Sequence, residues 1–291
     1  MSTLAVNVAN SIATITFNRP KSYNAITTED YEAFADALRA IDKRDDVLVT
    51  VWQATGKWFC AGTDVKDRIP LEGDTLRQQF LKRIAHTTTD CGQALYSHSK
   101  VLVAALNGPV MGKKLHLVSY MVFYDVAVCM IFDSRAIFKH FWGILTSYSP
   151  FQRRGSPFHL LFWESIIAEG GSSVSFINRM GPARANEVLL WGKKKTAQEL
   201  LACNFINDIF PSESTEEFHA AVRSHLLRQL DGLDPAAVLS VKKLLRAGLN
   251  EKNDPNAVNL RESYAQAERF ESGIPERQFS RIARKEIKHK L

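Results

Sequence analysis

The sequence predicts an α/β protein made of repeated ββα turns and finished by a C-terminal layer of helices. Three observations carry that prediction. Short alternating strands come in pairs before helical spacing begins, which separates the pattern from a doubly wound sheet. The helical stretches between them keep a one-sided apolar face. The last third of the chain is almost wholly helical, with three amphipathic patterns in a row.

Each element has its own signal. Leu4–Val8 and Ile12–Phe17 alternate apolar and polar residues around a turn and read as a hairpin. Thr27 can cap a helix with Asp30 three residues on, and Tyr31, Phe34, Leu38 and Ile41 then share one face. Leu48–Trp52 reads as a short buried strand, followed by a turn over Ala54–Trp58. Leu76–Leu95 has helical spacing, and Val101–Leu106 is a strand that stops at Asn107-Gly108-Pro109. Farther on, Val174–Met180 and Ala183–Leu190 read as helices interrupted by Gly181-Pro182. Thr196–Leu201 then reads as a helix and Ile206–Phe210 as a strand. Thr215–Leu230, Ala236–Ala247 and Val258–Glu271 complete the helical layer. The expected division is a core over 1–212 and a helical region over 213–291, with no linker or internal repeat between them.

Composition narrows the class. A chain of 291 residues, 45% hydrophobic and 23% charged, has length enough for a large core and the balance of a globular protein. Cys60, Cys91, Cys129 and Cys203 lack metal-ligand spacing and are expected to be reduced thiols, with no metal site. Met1-Ser2-Thr3-Leu4 runs straight into a strand, so no leader is expected, and no apolar run reaches the roughly 20 residues of a membrane span. The net charge is +6, but much of the excess sits in the tail among Arg277, Arg281, Arg284, Lys285, Lys288 and Lys290. No nucleic-acid motif accompanies it, so none is expected as a partner.

The most informative stretch is Ile167-Ala168-Glu169-Gly170-Gly171-Ser172-Ser173. It places one carboxylate before two glycines and two small hydroxyl residues. Such a turn lets a backbone approach a ligand closely, and a partly desolvated Glu can serve as a general base. Alone this signal is weak. It gains force from Asn18-Arg19-Pro20 with Asn24-Ala25, from Phe59-Cys60-Ala61-Gly62-Thr63-Asp64, and from Leu106-Asn107-Gly108-Pro109-Val110-Met111-Gly112.

In that order these segments resemble the crotonase (enoyl-CoA hydratase/isomerase) superfamily, and the Ala168–Ser173 ending is most similar to its peroxisomal Δ3,Δ2-enoyl-CoA isomerases. The resemblance implies a crotonase-like spiral of ββα turns. It also implies that the terminal helices make trimer or hexamer contacts and cover the acyl site. The substrate would be an acyl-CoA thioester, with no cofactor. By position, the backbone N–H groups of Thr63 and Lys113 would hold the thioester oxygen, and Glu169 would be the base. Ala61, Gly62, Asp64, Gly108 and Gly112 would line the substrate.

The chemistry suits that set. Moving a double bond along a thioester begins with loss of a proton from C2, and charge then develops on the thioester oxygen. Fixed N–H donors stabilise that enolate at very roughly 3–4 kcal/mol each. One carboxylate can take the proton from C2 and return it at C4. A hydratase of this superfamily usually has a second Glu, whose position is His116 here. Two alternatives stay open beside the isomerase: a catalytically dead CoA-binding or assembly protein, and an enoyl-CoA hydratase. The C-terminal His289-Lys290-Leu291 is a variant of the Ser-Lys-Leu address, so a peroxisomal location and an import receptor as partner are expected.

Lys113–Ile167 departs from the pattern. Its 55 residues hold 12 of the chain's 29 aromatics, and Lys113-Lys114-Leu115-His116 stands where small residues should follow Gly112. Two origins account for it. One is a retained intron or frame error, since Gly112-Lys113 can be encoded with a GT-AAG intron start. The other is a genuine insertion.

Overall fold

The computed structural model describes residues 3–64, 75–111, 128–133, 160–161, 167–193 and 195–275, with 277, 281, 284 and 286 beyond them. The first hairpin is β1 (Leu4–Ala9) paired antiparallel with β2 (Ile12–Phe17), turning through Asn10 and Ser11, both at positive φ. Helix α1 (Thr28–Asp42) follows, and its predicted capping box forms. Thr27 accepts from the Asp30 amide at 3.2 Å, and Asp30 accepts from the Thr27 amide at 3.1 Å. Strand β3 (Val49–Ala54) then lies parallel to β2, one residue later than its apolar run begins.

The long helix expected over Leu76–Leu95 is three pieces. Helix α2 (Leu76–Gln79) passes into a π-helix at Phe80–Thr89 and then into α3 (Asp90–Ser97). Apolar spacing does not distinguish i+4 from i+5 winding over one or two turns. The three threonines 87–89 add β-branched crowding at the point where the ladder resets. Strand β4 (Val101–Leu106) follows as predicted, and after the Asn107–Pro109 turn comes β5 (Val110–Met111).

Strand β6 (Val128–Asp133) and the two-residue β7 (Leu160–Leu161) come next, then α4 (Ser172–Leu189), α5 (Ala197–Ala202) and β8 (Asp208–Pro211). Strand β6 starts at Val128, and the residues just before it lie outside the described residues. Helices α6 (Thr215–Leu230), α7 (Pro235–Lys252) and α8 (Pro255–Glu271) close the chain. The interruption expected in α4 is real: Gly181 has φ 74° and ψ 161°, and Pro182 follows it.

The main sheet has the order β1-β2-β3-β4-β6-β8, parallel throughout after the first hairpin. A second ladder runs beside it. Ile26 bridges Thr63, Cys60 bridges Val110, and β5 pairs with β7. Each circuit of the chain therefore gives one strand to the sheet and a short one to the second ladder, which is the ββα spiral.

Hydrophobic burial explains why both faces close. On one side Phe17, Phe34, Trp52 and Phe59 pack with ring centroids 4.8–5.6 Å apart, beneath α1 and α3. On the other, Phe218, Val222 and Leu226 of α6 cover Ile12, Val49, Val51 and Val103. The helix that begins just past residue 212 thus completes the core. The remaining two helices differ from it. Helix α7 buries only Lys242, while the buried face of α8 is half polar.

Candidate active site

Three of the sequence segments converge in space. Asn24 is buried, and its side-chain amide donates to the carbonyls of Thr55 at 2.8 Å and Trp58 at 2.7 Å. Its carbonyl oxygen accepts from the Arg19 amide at 2.8 Å. Arg19 continues the tie: its guanidinium donates to the Ala25 carbonyl at 2.6 Å and pairs with Asp64 at 3.0 Å. The Asn107 amide donates to the Gly56 carbonyl at 2.7 Å, and the Cys60 amide donates to the Pro109 carbonyl at 3.2 Å. Gly108 is required by contact. A Cβ there would lie 2.1 Å from the Lys57 carbonyl oxygen.

This framework fixes the turn over 60–64 amide by amide. The Ala61 N–H donates to the Tyr23 carbonyl at 2.9 Å, the Gly62 N–H to the Cys60 sulfur at 3.0 Å, and the Asp64 N–H to the Ile26 carbonyl at 2.8 Å. The Ile26 amide donates to the Gly62 carbonyl. Because Gly62 and Asp64 both bond to Ile26, the pleat turns the Thr63 amide to the opposite side of the chain. Gly62 reaches this geometry at φ 99°. The carboxylate of Asp64 is engaged with Arg19, so it anchors the turn. Gly112 and Lys113, which carry the second expected N–H donor, lie outside the described residues, as does His116.

Glu169 sits on the other wall, 1% exposed. Gly170 at φ 65° and Gly171 at φ 73° make the turn, and Gly171 caps α4 without a side chain of its own. The Ser172 hydroxyl accepts from the Glu169 amide at 3.1 Å, and the Ser172 amide returns a bond to the Glu169 carbonyl at 3.2 Å.

Two residues that the motifs do not include join these walls. The Tyr31 hydroxyl lies 2.9 Å from the Thr63 hydroxyl. Burial first, and then the negative charge of Glu169, hold that phenol well above its ordinary pKa, while the bond to Thr63 works the other way. Tyr31 therefore touches the Thr63 turn and also feels the charge of the Glu169 carboxylate. The second residue is Glu262 on α8, also buried, which accepts from the amides of Gly171 at 2.6 Å and Ser173 at 2.9 Å. A tyrosine on an apolar helix face was a usable signal, because a buried phenol needs a partner. Nothing in the local pattern around Glu262 points to residue 171.

The chain's likeness to known proteins agrees with this arrangement. The Enoyl-CoA hydratase/isomerase family profile matches residues 7–132, continuing past Gly112. A Delta(3,5)-Delta(2,4)-dienoyl-CoA isomerase of Pyricularia oryzae is 31% identical over 98% of both chains. The peroxisomal enoyl-CoA delta isomerase 3 of Mus musculus is 30% identical over 92% of this chain and 74% of its own. Among solved structures, an enoyl-CoA hydratase/isomerase from Pseudoalteromonas atlantica superimposes with TM-score 0.76 at 22% identity over the whole of both chains, a likeness of fold. The fold and these likenesses define a class, that of the crotonase-fold enzymes. This chain belongs to the enoyl-CoA hydratase/isomerase family.

Proposed function

We propose that the protein is an enoyl-CoA isomerase that moves the double bond of a 3-enoyl-CoA to the 2-trans position in fatty-acid β-oxidation. The observation that supports this reading is the burial of Glu169 at its two-glycine turn, with the Tyr31 phenol bonded to the Thr63 hydroxyl and its pKa held up in part by the Glu169 charge. In this mechanism Glu169 takes the proton from C2. The electron pair moves onto the thioester oxygen, where the Thr63 N–H, and that of Lys113 beyond the described residues, stabilise it. Glu169 then returns the proton at C4 as the pair moves back, leaving the double bond between C2 and C3. The atoms balance without oxidant, metal or cofactor. Both named relatives are double-bond isomerases, and a 3,5-dienoyl-CoA is the second substrate to offer.

A coupled assay on 3-enoyl-CoA decides the matter. Wild type is expected to turn over, and Glu169→Gln to lose about 10²–10⁴-fold in kcat. Equal, negligible turnover by both sinks the assignment and leaves a CoA-binding or assembly role. Conversion of 2-trans-enoyl-CoA to the 3-hydroxyacyl thioester, with no turnover of 3-enoyl-CoA, would make it a hydratase instead.

The same reading covers assembly and location. Helix α7 presents Val241, Leu244 and Leu245 to solvent, and an apolar stripe of that kind fits a homotrimer or hexamer. Sedimentation should give a trimer or a multiple of it, and Leu244→Asp should lower that mass. No helix among the described residues is long and apolar enough to cross a membrane. The mouse relative is named as peroxisomal, and His289-Lys290-Leu291, outside the described residues, would be the import address. Removing those three residues should leave a fluorescent fusion in the cytosol.

A further inference from the structure

We propose that Glu262 is a positioning residue for the catalytic base, supplied to the Glu169 turn from the C-terminal helix. The proposal rests on the reading of Glu169 just given. Helix α4 begins immediately after that turn, and its N-cap is Gly171, which has no side chain to satisfy the free amides of the first turn. Glu262 does it from ninety-one residues away. One carboxylate oxygen accepts the Gly171 amide at 2.6 Å. The other accepts the Ser173 amide at 2.9 Å and a short bond from the Ser173 hydroxyl.

The Glu262 side chain spans both ends of the short segment that follows Glu169. Fixing Gly171 and Ser173 together leaves the two left-handed glycines little freedom, and Glu169 precedes them by a single bond. Ser172, between the two clamped residues, holds the Glu169 amide in turn. A carboxylate at a helix N-terminus with three donors is a charge-assisted arrangement, which explains how a glutamate 5% exposed is tolerated there. A neutral amide cannot replace it, because a glutamine side chain in its place would aim N–H groups at one of the backbone donors. Helix α8 is itself tied down independently, by Tyr96 to Asn256 at 2.6 Å and by Thr89 to Ser263 at 2.8 Å.

The test compares steady-state kinetics on 3-enoyl-CoA for wild type, Glu262→Gln, Ser173→Ala and Asn256→Ala. Glu262→Gln should lower kcat by about ten- to a hundredfold, as expected for a base displaced by a fraction of an ångström to an ångström, with KM within about twofold. Ser173→Ala, which removes one of the three donors and keeps the backbone bonds, should show a smaller loss of the same kind. Asn256→Ala cuts a tie of α8 far from the turn and should keep wild-type kcat. In the Glu169→Gln background the Glu262 change should add nothing to the loss.

Several results overturn the inference: an unchanged kcat in Glu262→Gln, a change in KM alone, or an equal loss in Asn256→Ala. If Glu262→Gln does not fold, Ser173→Ala decides, and wild-type kcat in it overturns the proposal. A wild type without turnover overturns the parent reading and this one with it. An active wild type with indifferent Glu262 and Ser173 variants overturns this one alone.

Discussion

The Thr63 wall and the Glu169 wall are built in opposite ways. The first is held by neighbours in the motif set. Asn24, Arg19, Gly56, Asn107 and Pro109 interlock through backbone carbonyls and amides, and the three segments that carry them are strand ends of successive turns of the spiral. The second is a glycine turn of a few residues whose tightest external tie comes from Glu262 on α8. The difference shows that strand alternation aims the Thr63 amide within a turn that the side chains of Asn24, Arg19 and Asn107 hold in place. The Glu169 turn, with its two left-handed glycines, takes its tie from a distant helix.

This contrast also sorts what the sequence disclosed. Strands β1–β4, the α1 capping box and the break at Gly181-Pro182 were readable because each follows from a local period or a local backbone restriction. The motif residues around Thr63 and Glu169 were readable because a fixed local turn has a local spelling. The π-helix over Phe80–Thr89 was not, since its apolar spacing also fits an ordinary helix. Glu262 was hidden for a different reason. The apolar positions of α8 make the helix readable, but they do not say that its inward face also buries Glu262 or which amides, 91 residues away, that carboxylate accepts from. Tyr31 was read only as one more core position, and its hydroxyl contact needs the tertiary fold.

The largest effect should come from breaking the close approach beneath the Thr63 wall. In Gly108→Ala the added Cβ meets a backbone carbonyl, which cannot swing away as a side-chain end can. The cost is expected to be about 3 kcal/mol or more, at the upper end of overpacking effects. Denaturant unfolding would record it as a lower midpoint at unchanged slope. A variant as stable as wild type would mean that the turns over 56–58 and 107–109 are free to part, and the wall would not be the rigid one.

Next comes Asn24→Ala. It removes a donor from two carbonyls and an acceptor from the Arg19 amide at a site 1% exposed. The expected loss is about 2–3 kcal/mol, because buried carbonyls left without a donor retain their desolvation cost. Activity should fall with it, since Arg19 loses the support that holds it against Asp64. Thermal unfolding and kcat measured on the same preparation separate a loosened wall from a merely less stable protein. Normal kcat below the melting transition would show that Arg19 and Asp64 keep the turn without Asn24.

The smallest change is also the sharpest, because Tyr31 touches the Thr63 turn through a single atom. Tyr31→Phe removes only the hydroxyl that lies 2.9 Å from Thr63. The ring stays in the core, so the stability loss should be near ~1 kcal/mol. If that hydroxyl holds the Thr63 turn in register with Glu169, the same order of energy should appear in the barrier, about fivefold in kcat. The phenol is held well above its usual pKa, so it is neutral throughout the working range, and its removal should leave the alkaline limb of the pH profile in place. A shifted alkaline limb would mean that Tyr31 titrates in the reaction and carries a proton itself. Unchanged kcat at reduced stability would reduce Tyr31 to a core residue of α1, and the Thr63 wall would then owe its position to backbone contacts alone.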